Sequence, residues 1–300
     1  MTKTLSKIVF FGSGPVASKS LELLKESFDI ECVITKPSTE KLMQSVVPKT
    51  TVFCVSNKSE LDNLISKTDI QSDIALLIDF GIIVSQQVID SFDKGVVNSH
   101  FSLLPEWRGA DPITFSILSG QEVTGVSLML LVAGMDEGPV LAQGELKLNG
   151  TETSDELTDD LITLSDALLT EIIPKYLENN ISVTTQEEMA QQLNRPTGPT
   201  YSRKLTKADG LIDWTKPAQE IEREIRAYIS WPRSYTKLGN TELIIKKASV
   251  LPKSAIAGQY EYDKNTLIVF CGKDALSLEI IQPAGKKEMP VKAFLAGYKL

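Results

Sequence analysis

Imidazole is nearly absent from this chain. Its 300 residues hold one histidine, His100, and three cysteines, Cys32, Cys54 and Cys271, which are odd in number and unclustered. So few nitrogen and sulfur ligands argue against a zinc site. The cysteines sit in or at the end of apolar runs and predict buried thiols, not a disulfide framework. No apolar run reaches the roughly 18 residues that would span a bilayer, so a membrane partner is not expected. The opening "MTKTLSKIVFFGSG" has no apolar h-region or cleavage site and predicts no secretion signal. Together these absences favour the cytoplasm. There is no G-x-S-x-G elbow to mark a serine nucleophile, no internal repeat and no low-complexity segment.

What is present is ordinary in bulk and uneven in detail. A hydrophobic fraction of 42% and a charged fraction of 23% suit a soluble globular protein, and this length accommodates two domains. The net charge of −8 is unevenly spread: residues 201–300 hold 17 Lys and Arg against 11 Asp and Glu, whereas residues 1–200 hold 14 against 28. An acidic half followed by a basic half is expected when one end meets a polyanion. It is equally compatible with a modestly charged solvated surface.

The first half alternates strand and helix. "KIVFFG" is apolar throughout, as a strand buried on both faces should be. The helix-like "PVASKSLELLKES" follows, then "DIECVIT", "TTVFCVS", the helical "KSELDNLISKT", "DIALLIDF", "SQQVIDSF" and "GVVNSHFS". That alternation predicts an α/β fold with a mostly parallel, Rossmann-like sheet. "DPITFSILSG" reads as a helix ending at Gly120. "TGVSLMLLV" and "PVLAQGELKL", on either side of "AGMDEGP", predict a switch to antiparallel pairing at one edge. A long amphipathic helix follows, with Thr153 and Glu156 at capping-box spacing. Residues 187–208 lose all periodicity and predict an exposed linker. Beyond them, the short helix "PAQEIEREIRAYI" precedes five or six strand-like runs, the last being "MPVKAFLAGYK". One helix and many short strands predict a small β-barrel.

Two motifs bear on chemistry. "GSGPVA" at Gly12–Ala17 matches a dinucleotide fingerprint, but the acid expected about 20 residues later is missing. Thr35 and Lys36 stand there, and the first acid is Glu40; a tight strand-to-helix turn accounts better for these glycines. Asn98 and His100 are two apart at the carboxyl end of "GVVNSH". They share one face of a strand, at the edge where open α/β sheets bind ligands. A carboxylate is the usual partner of a histidine, and Asp136 on the "AGMDEGP" loop can supply it. An amide donor, an imidazole and a carboxylate without a nucleophile suit direct acyl transfer between two bound molecules. On spacing alone, Asn98 and His100 serve equally well as a strand-end cap.

"NSHFSLLPEWRGADPI" followed by "TGVSLMLLVAGMDEGPVLAQ" resembles the 10-formyltetrahydrofolate-dependent formyltransferases, with Asp136 coming 36 residues after His100. "GLIDWTKPAQEIEREIRAYISWPRSYTKL" is similar to the start of the C-terminal domain in the methionyl-tRNA formyltransferase branch. The resemblance implies that residues 1–186 are a formyltransferase catalytic domain. Residues 187–208 would be a linker, and 209–300 an OB-like β-barrel that binds tRNA. It implies Asn98, His100 and Asp136 as the catalytic three. Ser102, Leu103, Leu104 and Pro105 would line the tetrahydrofolate site, and the loop from Phe80 through Gly81 and Ile82 to Ser85 would wall the pterin. Leu104-Pro105 is a candidate cis bond in that lining. The co-substrate would be 10-formyltetrahydrofolate with no metal, and the acceptor methionyl-initiator-tRNA, whose amine supplies the missing nucleophile. Lys246, Lys247, Lys253, Lys286, Lys287 and Lys292 would face phosphate. No obligate protein partner is implied.

The chain departs from that family at three places. The segment "TKPSTEKLMQSVVPK" after the second strand is shorter than usual, without Gly or Arg, and puts the mode of tRNA selection in question. Glu106 stands where Arg is usual, and Asp111 where a small residue is usual. Trp107 and Arg108 are expected to pack and anchor their loop. Two other readings use the same residues: a sugar-nucleotide N-formyltransferase with the same folate donor, and a catalytically inactive tRNA-binding homologue.

Overall fold

A computed structural model describes residues 5–298. The first four residues, with which the expected lack of a secretion signal begins, lie outside the described residues, as does Lys299 of the last strand-like run. The chain forms two compact units: residues 1–112, 123–147 and 158–202 in one, and 113–122, 148–157 and 203–300 in the other.

The elements run β1 (Ser6–Gly12), α1 (Pro15–Leu24), β2 (Phe28–Thr35), α2 (Glu40–Val46), β3 (Thr51–Cys54), α3 (Lys58–Lys67), β4 (Ala75–Ile78), α4 (Gln86–Ile89) and β5 (Val96–His100). After them come β6 (Arg108–Gly109), α5 (Pro112–Ser119), β7 (Val123–Leu130), β8 (Val140–Lys147), α6 (Ser154–Leu177), α7 (Gln186–Gln192) and β9 (Tyr201–Ser202). The first unit is built on a seven-stranded sheet in the order β3-β2-β1-β4-β5-β7-β8. Its first five strands are parallel, and β7 and β8 are antiparallel.

β1 shows why the sheet is central. Ile8 and Phe10 face one side and Val9 and Phe11 the other, and all four are fully buried. Each large side chain so buried contributes about 1.5–3 kcal/mol. Val9 and Phe11 join Cys32, Ile34, Leu61, Ala75, Phe80 and Val88 in one core. The turn into α1 is tight: Gly14 takes φ 101° as N-cap and Pro15 opens the helix. This positive-φ backbone with ψ near 180° favours glycine, in line with the turn reading of "GSGPVA". Cys32 and Cys271 are buried, whereas Cys54 is only half-buried, because β3 is the edge strand of the sheet.

In the second unit, α8 (Ala218–Ala227) precedes β10 (Ser234–Leu238), β11 (Thr241–Leu251), β12 (Tyr260–Tyr262), β13 (Leu267–Phe270), β14 (Ala275–Pro283), β15 (Met289–Pro290) and α9 (Val291–Gly297). The strands form an antiparallel sheet in the order β10-β11-β14-β13-β12, with β15 also on β14. Where a small OB-like β-barrel was expected, the strands form a sheet with β10 and β12 as its edges among the described residues. α8 buries Ala218, Ile221 and Ile225 against Leu243, Ile245, Leu276 and Leu278. The last strand-like run corrects to β15 followed by helix α9. Val291 and Phe294 are three apart and both buried, and that is helical, not strand, periodicity.

Residues 187–208 also hold more structure than a bare linker. α7 starts on a Thr185–Glu188 capping box, and β9 pairs in parallel with β6.

Candidate functional site

β5 lies between β4 and β7, and all five of its residues are buried. Asn98 pairs with Leu77 of β4 and Met129 of β7, and His100 with Ser127. The two side chains share one face at the carboxyl end of the strand, 8% and 6% exposed respectively. Among the described residues the Asn98 amide has no hydrogen-bond partner.

His100 is held from two loops. Its Nε2 lies 3.0 Å from the carbonyl of Trp107. A carbonyl only accepts, so Nε2 carries the proton. Nδ1 faces Asp136 Oδ1 at 3.9 Å, beyond direct hydrogen-bond reach. Burial pushes the imidazole pKa down; the Asp136 charge and the Trp107 bond act in the opposite direction. Nδ1 is thus turned toward a carboxylate that would stabilise a proton placed there.

Asp136 is itself tightly placed. Its backbone adopts φ 52°, a left-handed conformation uncommon outside glycine. Its Oδ2 accepts the Gly109 N–H at 2.7 Å, and its carbonyl accepts Gln186 Nε2 at 2.7 Å. Trp107 and Arg108 do anchor their loop. The Trp107 N–H donates to Thr200 Oγ1 at 2.8 Å, and Arg108 donates to Gln186 Oε1 at 2.8 and 3.1 Å. The Trp107 carbonyl and Gln186 are the site groups that sequence reasoning missed. The T-x-x-E cap before an apolar position was the available signal for the second.

The segment Ser102–Pro105 is buried throughout, with Ser102 and Leu104 at 0% exposure. Its polar groups are consumed inside the protein. Ser127 Oγ accepts the Leu104 N–H at 2.9 Å and donates to the Ser102 carbonyl at 2.6 Å. Gln143 donates to the Leu104 carbonyl at 2.8 Å, and Arg195 to that of Leu103 at 3.2 Å. Leu104–Pro105 is cis. These hydrogen bonds fix the segment, and its buried side chains offer little surface to a ligand. Glu106, the unexpected acid, lies 3.9 Å from Arg195. Burial raises its pKa and the guanidinium opposes that.

Phe80 is core, edge-on to Phe11 at a centroid distance of 5.4 Å. Its carbonyl accepts Ser13 Oγ at 2.7 Å. Gly81 follows at φ 64°, Ile82 packs on the core, and Ile83 is 77% exposed. Ser85 ends the loop by capping α4. The loop is therefore fixed at both ends with an apolar tip.

Beside it, Asp79 takes φ 48°; the residue is exposed overall, but desolvation of its carboxyl pushes it up to about 6, with Lys36 opposing the shift and Asp111 adding to it. The folded state holds this proton more tightly than the unfolded chain. Its contribution therefore turns unfavourable as pH rises from about 4 to 6. Asp79→Asn is expected to raise stability above pH 6 by about 1 kcal/mol, allowing for solvent screening of a side chain that reaches the surface. The gain should vanish below pH 4; thermal melts from pH 4 to 8 test this.

Both halves of the chain resemble known proteins. Residues 6–173 match the formyl transferase family, and residues 204–299 match the formyl transferase C-terminal domain. The methionyl-tRNA formyltransferase of Thermodesulfovibrio yellowstonii is 32% identical over 308 residues, covering 98% of this chain and 97% of the relative. That of Pseudoalteromonas translucida is 32% identical, covering 99% and 95%. Among solved structures, an N-formyltransferase from Helicobacter canadensis in complex with folinic acid and dTDP-3-aminofucose aligns with a TM-score of 0.68 at 18% identity, over 92% of this chain and 99% of that one. Methionyl-tRNA formyltransferase from Clostridium thermocellum aligns with a TM-score of 0.55 at 18% identity, over 84% and 97%. Those two structures share the fold; the full-length sequence relatives go further, and the chain belongs to the formyl transferase family, in its methionyl-tRNA formyltransferase branch.

Proposed function

We propose that this protein transfers the formyl group of 10-formyltetrahydrofolate to the α-amine of methionyl-initiator-tRNA. The observation that carries this reading is similarity to methionyl-tRNA formyltransferases over 98% of the chain, through both domains. Residues 1–186 are read as the catalytic domain and 209–300 as the tRNA-binding domain. The C-terminal sheet, including β11 and β14, would act as an OB-like surface, with 187–208 between the two domains. The setting of action is the cytoplasm.

The site fits a folate donor on two counts. Asn98 offers an amide without a protein partner among the described residues, and the loop tip at Ile82 and Ile83, which follows β4, the strand paired with β5, offers apolar surface. The folate, when bound, supplies an activated formyl group on N10. In this reading Phe80, Gly81 and Ile82 wall the pterin, Phe80 through its backbone because its side chain is core, while Ser102, Leu103, Leu104 and Pro105 support the site from within. Asn98 donates its amide N–H to the formyl oxygen as negative charge gathers there. His100, bonded to the Trp107 carbonyl through Nε2, keeps Nδ1 free to take a proton beside Asp136. Asp136 favours the charged imidazole and can take the proton that the α-ammonium must lose before its lone pair attacks the formyl carbon; the bond from that carbon to N10 then breaks, and tetrahydrofolate leaves with a proton on N10. No metal is assigned to any step.

The test is a formyl-transfer assay from 10-formyltetrahydrofolate. Methionyl-initiator-tRNA is expected to be formylated and dTDP-amino sugars are not. Sugar formylation without tRNA formylation would replace this reading, and activity toward neither acceptor would favour the inactive tRNA-binding homologue.

A further inference from the structure

We propose that Gln186 is a positioning residue for formyl transfer: its side-chain amide locks the loop that carries Asp136 to the loop whose carbonyl holds His100. This rests on the assignment of His100 and Asp136 to the reaction.

The amide is 5% exposed and fully engaged. Nε2 donates to the carbonyls of Asp136 at 2.7 Å and Gly138 at 2.9 Å. Oε1 accepts the Arg108 guanidinium, from Nη2 at 2.8 Å and Nε at 3.1 Å. Arg108 directly follows Trp107, and its Nη1 also reaches Glu137 at 3.4 Å. One side chain thus ties 136–138 to 107–108, the two segments that address the opposite nitrogens of His100. The Asp136 backbone sits at φ 52°, a conformation that persists only where its surroundings over-determine it.

Gln186 is in turn fixed by its own backbone. Thr184 pairs with Val140 in both directions, at 2.7 and 2.9 Å. Thr185 and Glu188 then cap the helix on which Gln186 is the first residue. At the other end of this strap, Arg195 holds the Leu103 carbonyl. A short stretch beyond α6 therefore sets the geometry of the site without contributing a reacting group.

The test compares Gln186→Leu, Gln186→Glu and Asp136→Asn. Because the chain has one histidine, imidazole-labelled NMR reports His100 alone. Gln186→Leu is expected to lower kcat by up to about 100-fold, as a misplacement of about 1 Å does. KM for both substrates should stay within about threefold of the parent value, and the His100 resonances should move in the direction that Asp136→Asn moves them. Gln186→Glu keeps an acceptor for Arg108 but sets an oxygen against two carbonyls. It should reproduce the loss, and it decides the matter if the leucine variant does not fold. Parental kcat and unmoved imidazole signals in either folded Gln186 variant, with Asp136→Asn slow, would overturn this inference alone. Parental kcat in Asp136→Asn would overturn the site assignment beneath it.

Discussion

Asn98→Ala is expected to lower kcat by about 100–1000-fold, the usual consequence of removing one oxyanion donor, with the dissociation constant for folate close to that of the parent. The geometry makes this substitution informative. Asn98 sits mid-sheet with its backbone paired on both sides, so strand β5 does not depend on its side chain. Its amide has no partner among the described residues, so truncation leaves no protein group newly unsatisfied, and little stability is at stake. The loss should therefore fall on the chemical step. Asn98→Asp sharpens the test, because it keeps the shape while replacing a donor with a charge that repels a developing oxyanion. It should be slower still. Folate titration followed by single-turnover formyl transfer separates binding from chemistry. Near-parental turnover in the alanine variant would remove Asn98 from the mechanism.

The sequence carries this site only in part, and the division follows physical lines. Strand parity is strict, so two residues two apart at the end of an apolar run had to share a face, and Asn98 and His100 do. The alternation of Ile8, Val9, Phe10 and Phe11, all apolar, likewise required a strand buried on both faces. The Trp107 carbonyl was illegible because a backbone group carries no residue-type signal; any side chain at that position would offer it. Gln186 was hidden for a different reason. α7 is only seven residues long, too short for a hydrophobic period to emerge, and its capping box was its one local mark. Ser102 to Pro105 show the converse limit. The motif was readable, but only the structure reveals that its hydrogen bonds are spent on Ser127, Gln143 and Arg195. Glu106 was unexplained in isolation because the opposing charge, Arg195, lies far along the chain. α9 was misread because Val291, Phe294 and their neighbours form an apolar run whose helical spacing spans barely two turns.

Salt should weaken tRNA binding unequally across the lysines of the second unit. Six were expected to face phosphate, but three are already engaged. Lys246 donates to the Ile229 carbonyl at 2.8 Å, Lys247 lies 3.2 Å from Glu279, and Lys253 lies 2.5 Å from Glu261. The register irregularities around Lys247 in β11 allow the adjacent Lys246 and Lys247 both to avoid the core, while Ile245 and Ala248 are buried. A phosphate must displace a carboxylate to recruit Lys247 or Lys253. Lys286, Lys287 and Lys292 are exposed and have no ion pair among the described residues. They cluster around the β14–α9 connection. Three phosphate contacts would give a slope of about −2.7 in log affinity against log salt, or about 40-fold between 50 and 200 mM. Replacing Lys286, Lys287 and Lys292 with alanine should flatten the slope by about that amount and raise KM for tRNA, leaving KM for folate unchanged. Lys247→Ala with Lys253→Ala should change the slope far less, since those charges are already neutralised by neighbours. Titrations of methionyl-tRNA binding across that salt range decide between the two sets. A flat slope in the parent protein would remove phosphate recognition from this surface, and a loss confined to the paired lysines would reverse the assignment.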